Sequence, residues 1–470
     1  MTKMWSGRFR EPLDENFERW QRSFPFDQRL LPYEVMASRA HAYALEHTGV
    51  LSAEELGEIL RGLQQIAEKA QAGNEFLEDG AAEDVHHFVE KQLVALIGET
   101  GYKLHSGRSR NEQIATDLRL YVRASSDDLT RMLADWLDAL LTCAEEAGDA
   151  AMPAYTHLQR AEPVLLAHWL LAYVQMFLRD GERLADCRRR LNFCPLGSGA
   201  VAGATLPLDR DAMARDLGCD APTANSLDAT SDRDFVLEFV GALSLIALHL
   251  SRWAEEMILF STSEYGFVEL PEPYSTGSSA MPQKKNPDLL ELVRGKAGRV
   301  LGNHVALMVT LKGLPLAYNK DLQEMQEPLF EATAAVLSML PLVTGWMKSV
   351  DFNYARMRAA AEGGFMNAWA AASYLVGRAV PSRLSHECVG KAVRLSLERG
   401  CDLEDLPLAD LRAISPAFDQ DFYSWLSLKQ VLAIHDVTGG TAPARVQQAL
   451  HEARQKSTAL RGQIPAMATP

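Results

Sequence analysis

Hydrophobic residues recur at three- and four-residue steps along almost the whole chain, and alternating β-branched runs are scarce. That period belongs to helices. The first hundred residues give medium-length helices. One is expected over 53–71, opened by Ser52 with Glu55 three residues later in a capping-box pattern, and another over 83–97. Five much longer apolar-rich segments follow, near 112–147, 163–192, 233–262, 288–312 and 323–349. Thirty residues of helix span about 45 Å, and such helices in series pack side by side as a bundle. The stretch 235–250 is apolar nearly all round, interrupted only by Glu238 and His249. It belongs in the centre of a bundle or in a subunit interface, since no side of it can face water. The expectation is an all-α chain that shares its long-helix bundle in a homo-oligomer.

Domain boundaries follow from the same pattern. An N-terminal helical domain is expected over 1–110, a central long-helix domain over 111–360 and a small helical domain over 361–470. The last is Ala-rich and punctuated by Pro381, Pro407, Pro416 and the Gly439-Gly440-Thr441-Ala442-Pro443 turn.

Composition narrows the function classes. With 470 residues, 47% hydrophobic and 23% charged, the chain is ordinary globular material and not disordered or low-complexity. Lys and Arg number 47 against 62 Asp and Glu, a net charge of −15. That balance argues against a nucleic-acid partner, and any anion site must be built locally. No membrane partner is expected, because the apolar run at 332–347 is short and carries Pro341. The opening MTKMWSGRFREP has no apolar signal core, so a cytoplasmic chain is expected. The six cysteines (143, 187, 194, 219, 388 and 401) show no C-x-x-C spacing and read as reduced thiols, not a zinc site. No metal or cofactor is implied.

The richest chemistry lies between the long helices. The run Gly277-Ser278-Ser279-Ala280-Met281-Pro282-Gln283-Lys284-Lys285-Asn286-Pro287-Asp288 is a small-residue loop leading into a helix near Pro287 and Asp288. It offers backbone N–H groups, two hydroxyls, two ammonium groups and a carboxamide, the parts of an anion-binding device. Ser109-Arg110-Asn111 stands at the start of the 112–147 helix, a ready carboxylate site. The glycine-rich 197–203 segment lacks G-x-G-x-x-G spacing and a preceding strand, so it reads as a loop of close backbone approach.

The 277–288 run resembles the S-S-x-M-P-x-K-x-N pattern of the fumarase/aspartase superfamily, and its Gln283–Asp288 extension resembles the argininosuccinate lyase family. His105-Ser106-Gly107-Arg108-Ser109-Arg110-Asn111-Glu112-Gln113 and Tyr155-Thr156-His157-Leu158-Gln159 are similar to that family's blocks. So are Trp5-Ser6-Gly7-Arg8-Phe9, Glu83-Asp84-Val85-His86, Ser231-Asp232-Arg233-Asp234-Phe235, Tyr318-Asn319-Lys320-Asp321-Leu322-Gln323 and 439–443. The resemblance covers essentially the whole chain. It implies a three-domain fumarase/aspartase-like fold in a homotetramer, with each active site built from loops of three subunits. It also implies cleavage of argininosuccinate to L-arginine and fumarate, the last step of arginine biosynthesis.

Such a reaction removes a weakly acidic proton beside a carboxylate, so a doubly charged carboxylate must be stabilised by cations and N–H donors. Lys284 and Asn286 suit that task. The resemblance makes Ser278 the base, its alkoxide stabilised by loop dipoles and an ammonium group. It makes His157 the proton donor to the leaving group, with Glu291 as its partner. Ser109, Arg110, Asn111 and Thr156 would hold substrate carboxylates. The family match assigns Ser23, Tyr318 and Gln323 to the arginine side, although Tyr318 and Gln323 also fit as capping and packing residues. Arg233 lies in a matching block and is a further substrate-binding candidate. Asp84 and His86 read either as part of the pocket or as a helix-surface pair.

One position departs from the family. Its Y-N-K-D-x-Q-E-D-K-E-P continuation has a lysine where this chain has Gln326. A neutral amide still donates a hydrogen bond, but charge-assisted bonds are roughly twice as strong. The elimination machinery is unaffected, and the amine-side affinity is where a difference is expected. A lyase for another N-succinyl amine and an inactive crystallin-like structural homologue are the alternatives.

Overall fold

The computed structural model describes residues 11–463, so the Trp5–Phe9 block lies outside the described residues. Within them the chain is helical, with four small two-stranded sheets. The five long segments are helices Arg110–Glu146, Leu166–Leu191, Asp234–Ser261, Asp288–Leu311 and Gln326–Met347. The second starts at 166 and not at 163, because Gln159–Leu165 pairs as a strand with Ala151–Thr156. The fifth is preceded by a 3₁₀ turn, Lys320–Met325. Pro287 precedes the fourth helix, its carbonyl accepting the Glu291 N–H at 3.1 Å.

The chain folds into two compact units. Described residues up to Asp128, with Leu184–Leu243 and Val300–Ala334, form one; Leu129–Arg183, Ser244–Arg299 and the residues from Ala335 onward form the other. The helix Arg110–Glu146 contributes its first half to the first unit and its second half to the second.

In the first unit, Leu31–His47 packs against Ala53–Ala72 and Val85–Ile97. Ser52 opens Ala53–Ala72 with a complete capping box: its hydroxyl accepts the Glu55 N–H at 3.2 Å and its own N–H donates to Glu55 Oε2 at 2.9 Å. Gly62 lets this helix approach Val85–Ile97 closely, since a Cβ there would lie 2.5 Å from Leu93 Cδ1. Phe24 stacks on Phe88 at 4.7 Å, and Tyr121 meets Tyr33 and Phe330 edge-on at 5.9 and 5.0 Å. Ala37, Ala40 and Ala44 pack with Leu196, Met213 and Leu217 in a second apolar cluster. Each fully buried leucine in such a core contributes ~1.5–3 kcal/mol.

In the second unit, three fully buried tryptophans form an edge-to-face chain, Trp136 to Trp253 at 4.9 Å and Trp253 to Trp346 at 5.1 Å. The expected apolar helix Asp234–Ser261 carries His249, whose ring nitrogen lies 2.6 Å from the buried Asp180 carboxylate. Asp234–Ser261 and Lys320–Met347 are long and apolar enough to cross a membrane by composition. Their apolar windows are 61% and 56% buried inside the fold, as befits core helices. The helix Pro443–Gly462 is tied down by Arg454, which pairs with Asp138 at 3.2 Å and Glu145 at 2.8 Å. A separate aromatic cluster of Tyr374, Phe418, Phe422 and Trp425 gives the C-terminal residues their own core.

Candidate active site

Helix starts position the candidates of the first unit. Ser109 caps Arg110–Glu146: its hydroxyl accepts the Asn111 N–H at 3.3 Å, and its own N–H donates to Glu112 Oε1 at 3.0 Å. The second Glu112 oxygen accepts the Gly199 N–H at 2.9 Å, so one buried carboxylate holds two loops. Arg110 then extends to an ion pair with Asp84. Asp84 is itself the N-cap of Val85–Ile97, accepting the His87 N–H at 2.7 Å. Burial would raise the Asp84 carboxyl, but the Arg110 and His86 charges hold it well below the ordinary carboxylate range.

His86 is not a surface group. It is buried, with Nε2 3.0 Å from Asp117 Oδ2 and 3.8 Å from Glu34 Oε2, and Nδ1 3.7 Å from Asp84 Oδ1. Burial alone would lower its pKa, but the carboxylates of Asp117, Asp84 and Glu34 overcome that and hold it up at about 10. The imidazolium form is the one these neighbours favour. Ser23, also buried, donates to Asp27 Oδ2 at 2.6 Å, and Asp27 Oδ1 accepts the Val85 N–H at 3.0 Å. Burial, then the Asp84 charge, raises Asp27 to about 7.

Of these residues, Asp84 and Arg110 border a cavity of about 220 Å³. Asp84, Arg110, Tyr318 and Gln323 line it together with Glu83 and Lys320. Gln323 is fixed by donating to the Gln21 carbonyl at 3.0 Å. Burial, opposed by the Arg233 charge, raises the Tyr318 hydroxyl to about 12. Arg233 is fully buried; Nη1 donates to the Asp232 carbonyl at 2.7 Å, while Nε and Nη2 have no partner among the described residues. Burial pushes its pKa down to about 10. Gln326 is also buried, and neither amide atom has a hydrogen-bond partner among the described residues.

The candidates of the second unit sit on two hairpin tips and a helix start. Thr156 pairs with Gln159, leaving His157 and Leu158 as a two-residue turn with φ of 54° and 57°. Positive φ at both central positions is the I′ geometry that matches strand twist. Here it is imposed on two side chains that disfavour it, a local strain of the kind held at functional sites. Thr156 and His157 are exposed.

The second hairpin pairs Thr276 with Asn286 and Gly277 with Lys285, so that 278–284 form its tip. Ser278 Oγ accepts the N–H groups of Ala280 and Met281 at 3.3 and 3.2 Å. Two N–H dipoles thus point at the hydroxyl oxygen, the arrangement that stabilises negative charge on it. Asn286 Nδ2 donates to Thr276 Oγ1 and the Gly277 carbonyl, each at 3.4 Å. Lys285 is engaged with Glu269 at 2.7 Å, whereas the Lys284 side chain is exposed. Glu291 lies one turn into the following helix, 3.9 Å from Arg294. Within one chain His157 and Glu291 form no hydrogen bond or ion pair with each other.

The first unit therefore holds Ser23, Asp84, His86, Ser109, Arg110, Asn111, Arg233, Tyr318, Gln323 and Gln326, of which Asp84, Arg110, Tyr318 and Gln323 share the cavity, and the second holds Thr156, His157, Ser278, Lys284, Asn286 and Glu291. Glu34, Asp27 and Asp117, the carboxylates around His86 and Ser23, were not singled out from sequence. Asp27 stands four residues after Ser23 and Asp117 seven after Arg110, spacings that return to one helix face and were the only signal available. Glu34, His86 and Asp117 place ligand-type atoms within 4.8 Å of one another.

Residues 7–302 match a family model described as "Lyase". The match sets the class: a lyase-family chain. Residues 365–433 match a model described as "Argininosuccinate lyase C-terminal". Relatives named argininosuccinate lyase from Acidobacterium capsulatum and Koribacter versatilis are each 59% identical, over 97% of this chain and 95% and 98% of theirs. The chain belongs to the argininosuccinate lyase family. Among solved structures, EDDS lyase in complex with formate superposes with a TM-score of 0.82 at 27% identity, over 97% of this chain and 92% of that one. A class II fumarase from Schistosoma mansoni shares the fold, with a TM-score of 0.74 at 15% identity over 85% of this chain and 90% of that one.

Proposed function

We propose that this chain catalyses the reversible elimination of argininosuccinate to L-arginine and fumarate, the last step of arginine biosynthesis. One observation carries the mechanism: the Ser278 oxygen receives two backbone N–H groups on the hairpin that also bears Lys284 and Asn286. The Ser278 alkoxide takes the proton from the succinyl carbon next to a carboxylate. The electron pair passes into that carboxylate, where Lys284 and Asn286 stabilise the second negative charge. It then returns to form the carbon–carbon double bond as the bond to the guanidine nitrogen breaks. His157 orients or protonates the leaving guanidine, with Glu291 as its partner across subunits.

Ser109, Arg110, Asn111 and Thr156 serve the substrate carboxylates. Ser23, Tyr318 and Gln323 serve the arginine side, where Asp84 and Glu83 in the cavity wall suit a guanidinium cation. His86 braces Asp84 in this wall, and the Arg233 charge acts on Tyr318. The chain works as a cytoplasmic homotetramer of three-domain subunits. In support, Leu301, Val305, Met308 and Val309 expose an aliphatic ridge on Asp288–Leu311, 40–65% accessible in the single chain. Ridges of that kind are covered in assemblies.

Gln326 favours a second reading, a lyase for another N-succinyl amine, because it supplies no charge to the amine-side carboxylate. The test is fumarate release followed by ultraviolet absorbance, with argininosuccinate and other N-succinyl amines as substrates and Ser278→Ala as control. Turnover restricted to another amine replaces argininosuccinate as substrate. Undiminished activity in Ser278→Ala removes that serine as the base.

A further inference from the structure

Outside the candidate site, the first unit holds an unusual pair of thiols. Cys194 ends the short strand Phe193–Cys194, which pairs in parallel with Ala221–Pro222. Cys219 follows the turn at Gly218, where φ is +65° and the helix Arg210–Asp216 has just ended. Asp220 N–H donates to the Asn192 carbonyl at 2.9 Å, which draws the two segments together. Cys194 is fully buried in the cluster with Leu196, Met213 and Leu217, and Cys219 packs against the same cluster from a half-buried position. Both sulfurs therefore belong to one packed cluster.

Arg123 makes the turn electropositive. It donates to the carbonyls of Leu217 at 2.7 Å and Gly218 at 3.0 Å, and its Nη1 lies 3.8 Å from Cys219 Sγ. The neighbouring Cys194 thiol first, then Arg123 and Arg119 against the effect of burial, hold the Cys219 thiol down at about 7. The Cys219 thiol and burial push Cys194 well up. Burial raises the Cys143 and Cys187 thiols to about 12, which leaves them inert.

We propose that Cys194 and Cys219 form an oxidisable dithiol for hydroperoxides, with Cys219 as the attacking sulfur and Cys194 as its resolving partner. The Cys219 sulfur attacks a peroxide oxygen; the S–O bond forms, the O–O bond breaks, and the departing oxide takes a proton to leave as water or an alcohol. Cys219 is then a sulfenic acid. The Cys194 thiol gives up its proton, its sulfur attacks Cys219 sulfur, the S–S bond forms and the S–O bond breaks, and hydroxide leaves with that proton as water. Two electrons pass from the dithiol to the peroxide. An external dithiol reverses the change by exchange.

The test treats the purified full-length chain with hydrogen peroxide, blocks remaining thiols by alkylation under denaturing conditions, and maps peptides by mass. The expected result is a peptide pair joined through Cys194 and Cys219 that separates on reduction, with Cys143 and Cys187 alkylated. In Cys194→Ala, Cys219 accumulates a sulfenic acid that dimedone traps. In Cys219→Ser, at the half-exposed position, no crosslink to residue 194 forms. The proposal is overturned if both sulfurs remain alkylatable at peroxide levels that oxidise any other cysteine, or if the crosslink persists in Cys219→Ser through a different partner.

Discussion

His86 Nε2 lies 3.0 Å from the Asp117 carboxylate, with both side chains buried and a second carboxylate, Asp84, 3.7 Å from the other ring nitrogen. The imidazolium therefore braces the residue that pairs with Arg110 at the cavity wall. Its folded pKa of about 10 lies above the ordinary 6.5. The stability it supplies is complete below about pH 6.5 and is lost as pH rises through about 10. Asp27 and Asp117, raised from 3.8 to about 7, act in the same sense at lower pH, since their ionisation removes a form the fold prefers. The melting temperature is expected to fall steadily between pH 6.5 and 10. In His86→Gln that slope should flatten, with a lower Tm at pH 6.5. Calorimetry across this window checks it, and a wild-type Tm that rises with pH contradicts it.

Ser278 and Lys284 belong to a hairpin tip outside the core, so their loss costs activity and not folding. Ser278→Ala and Lys284→Met should each lower kcat/KM by about 10²–10⁴ while the unfolding free energy moves by less than about 0.5 kcal/mol. Steady-state kinetics beside chemical denaturation separates the two quantities. A large stability change would mean that the tip is structural.

Gln326 is buried, and its amide has no partner among the described residues. Restoring a charge there should strengthen binding to the amino-acid carboxylate of the arginine moiety. Gln326→Lys is expected to lower KM for argininosuccinate about tenfold, the effect of ~1.4 kcal/mol, with little change in kcat. An unaltered KM would take position 326 out of the binding surface.

Leu158 occupies a left-handed conformation, φ 57°, with its side chain 67% exposed. Relief of that conformation costs no burial. Leu158→Gly should raise the unfolding free energy by about 0.5–1 kcal/mol, the cost of left-handed backbone less the extra freedom of glycine when unfolded. Urea titration measures it, and a destabilised variant would show that the leucine side chain makes contacts worth more than the strain.

Helix-forming residues were legible because their apolar period is local: the long helices begin and end within a few residues of the expected points. The exceptions are set by pairing at a distance. Gln159–Leu165 has no strand-like alternation, and it becomes a strand because the turn at His157 and Leu158 returns it onto Ala151–Thr156. Ser278, Lys284 and His157 became candidates because the runs around them match family blocks, and 277–288 is also rich in small and polar residues. Glu34 and Asp117 did not, since each is a single acid on a helix whose meaning depends on His86 arriving from another helix. Asp84 and His86 left two readings open in sequence; burial of the His86 ring decides against a surface pair.

Glu112 spends one oxygen on the Ser109 N–H and the other on the Gly199 N–H. A carboxylate offers acceptors at both ends, whereas glutamine would turn its carboxamide NH₂, a donor, toward one of those backbone N–H groups. Aspartate keeps the acceptors but is a methylene short. Two stretches nearly ninety positions apart in the chain thus answer to a single codon. Drift in either stretch is constrained by the other, and a recombination that exchanges one without its counterpart would leave an amide hydrogen stranded in a dry interior.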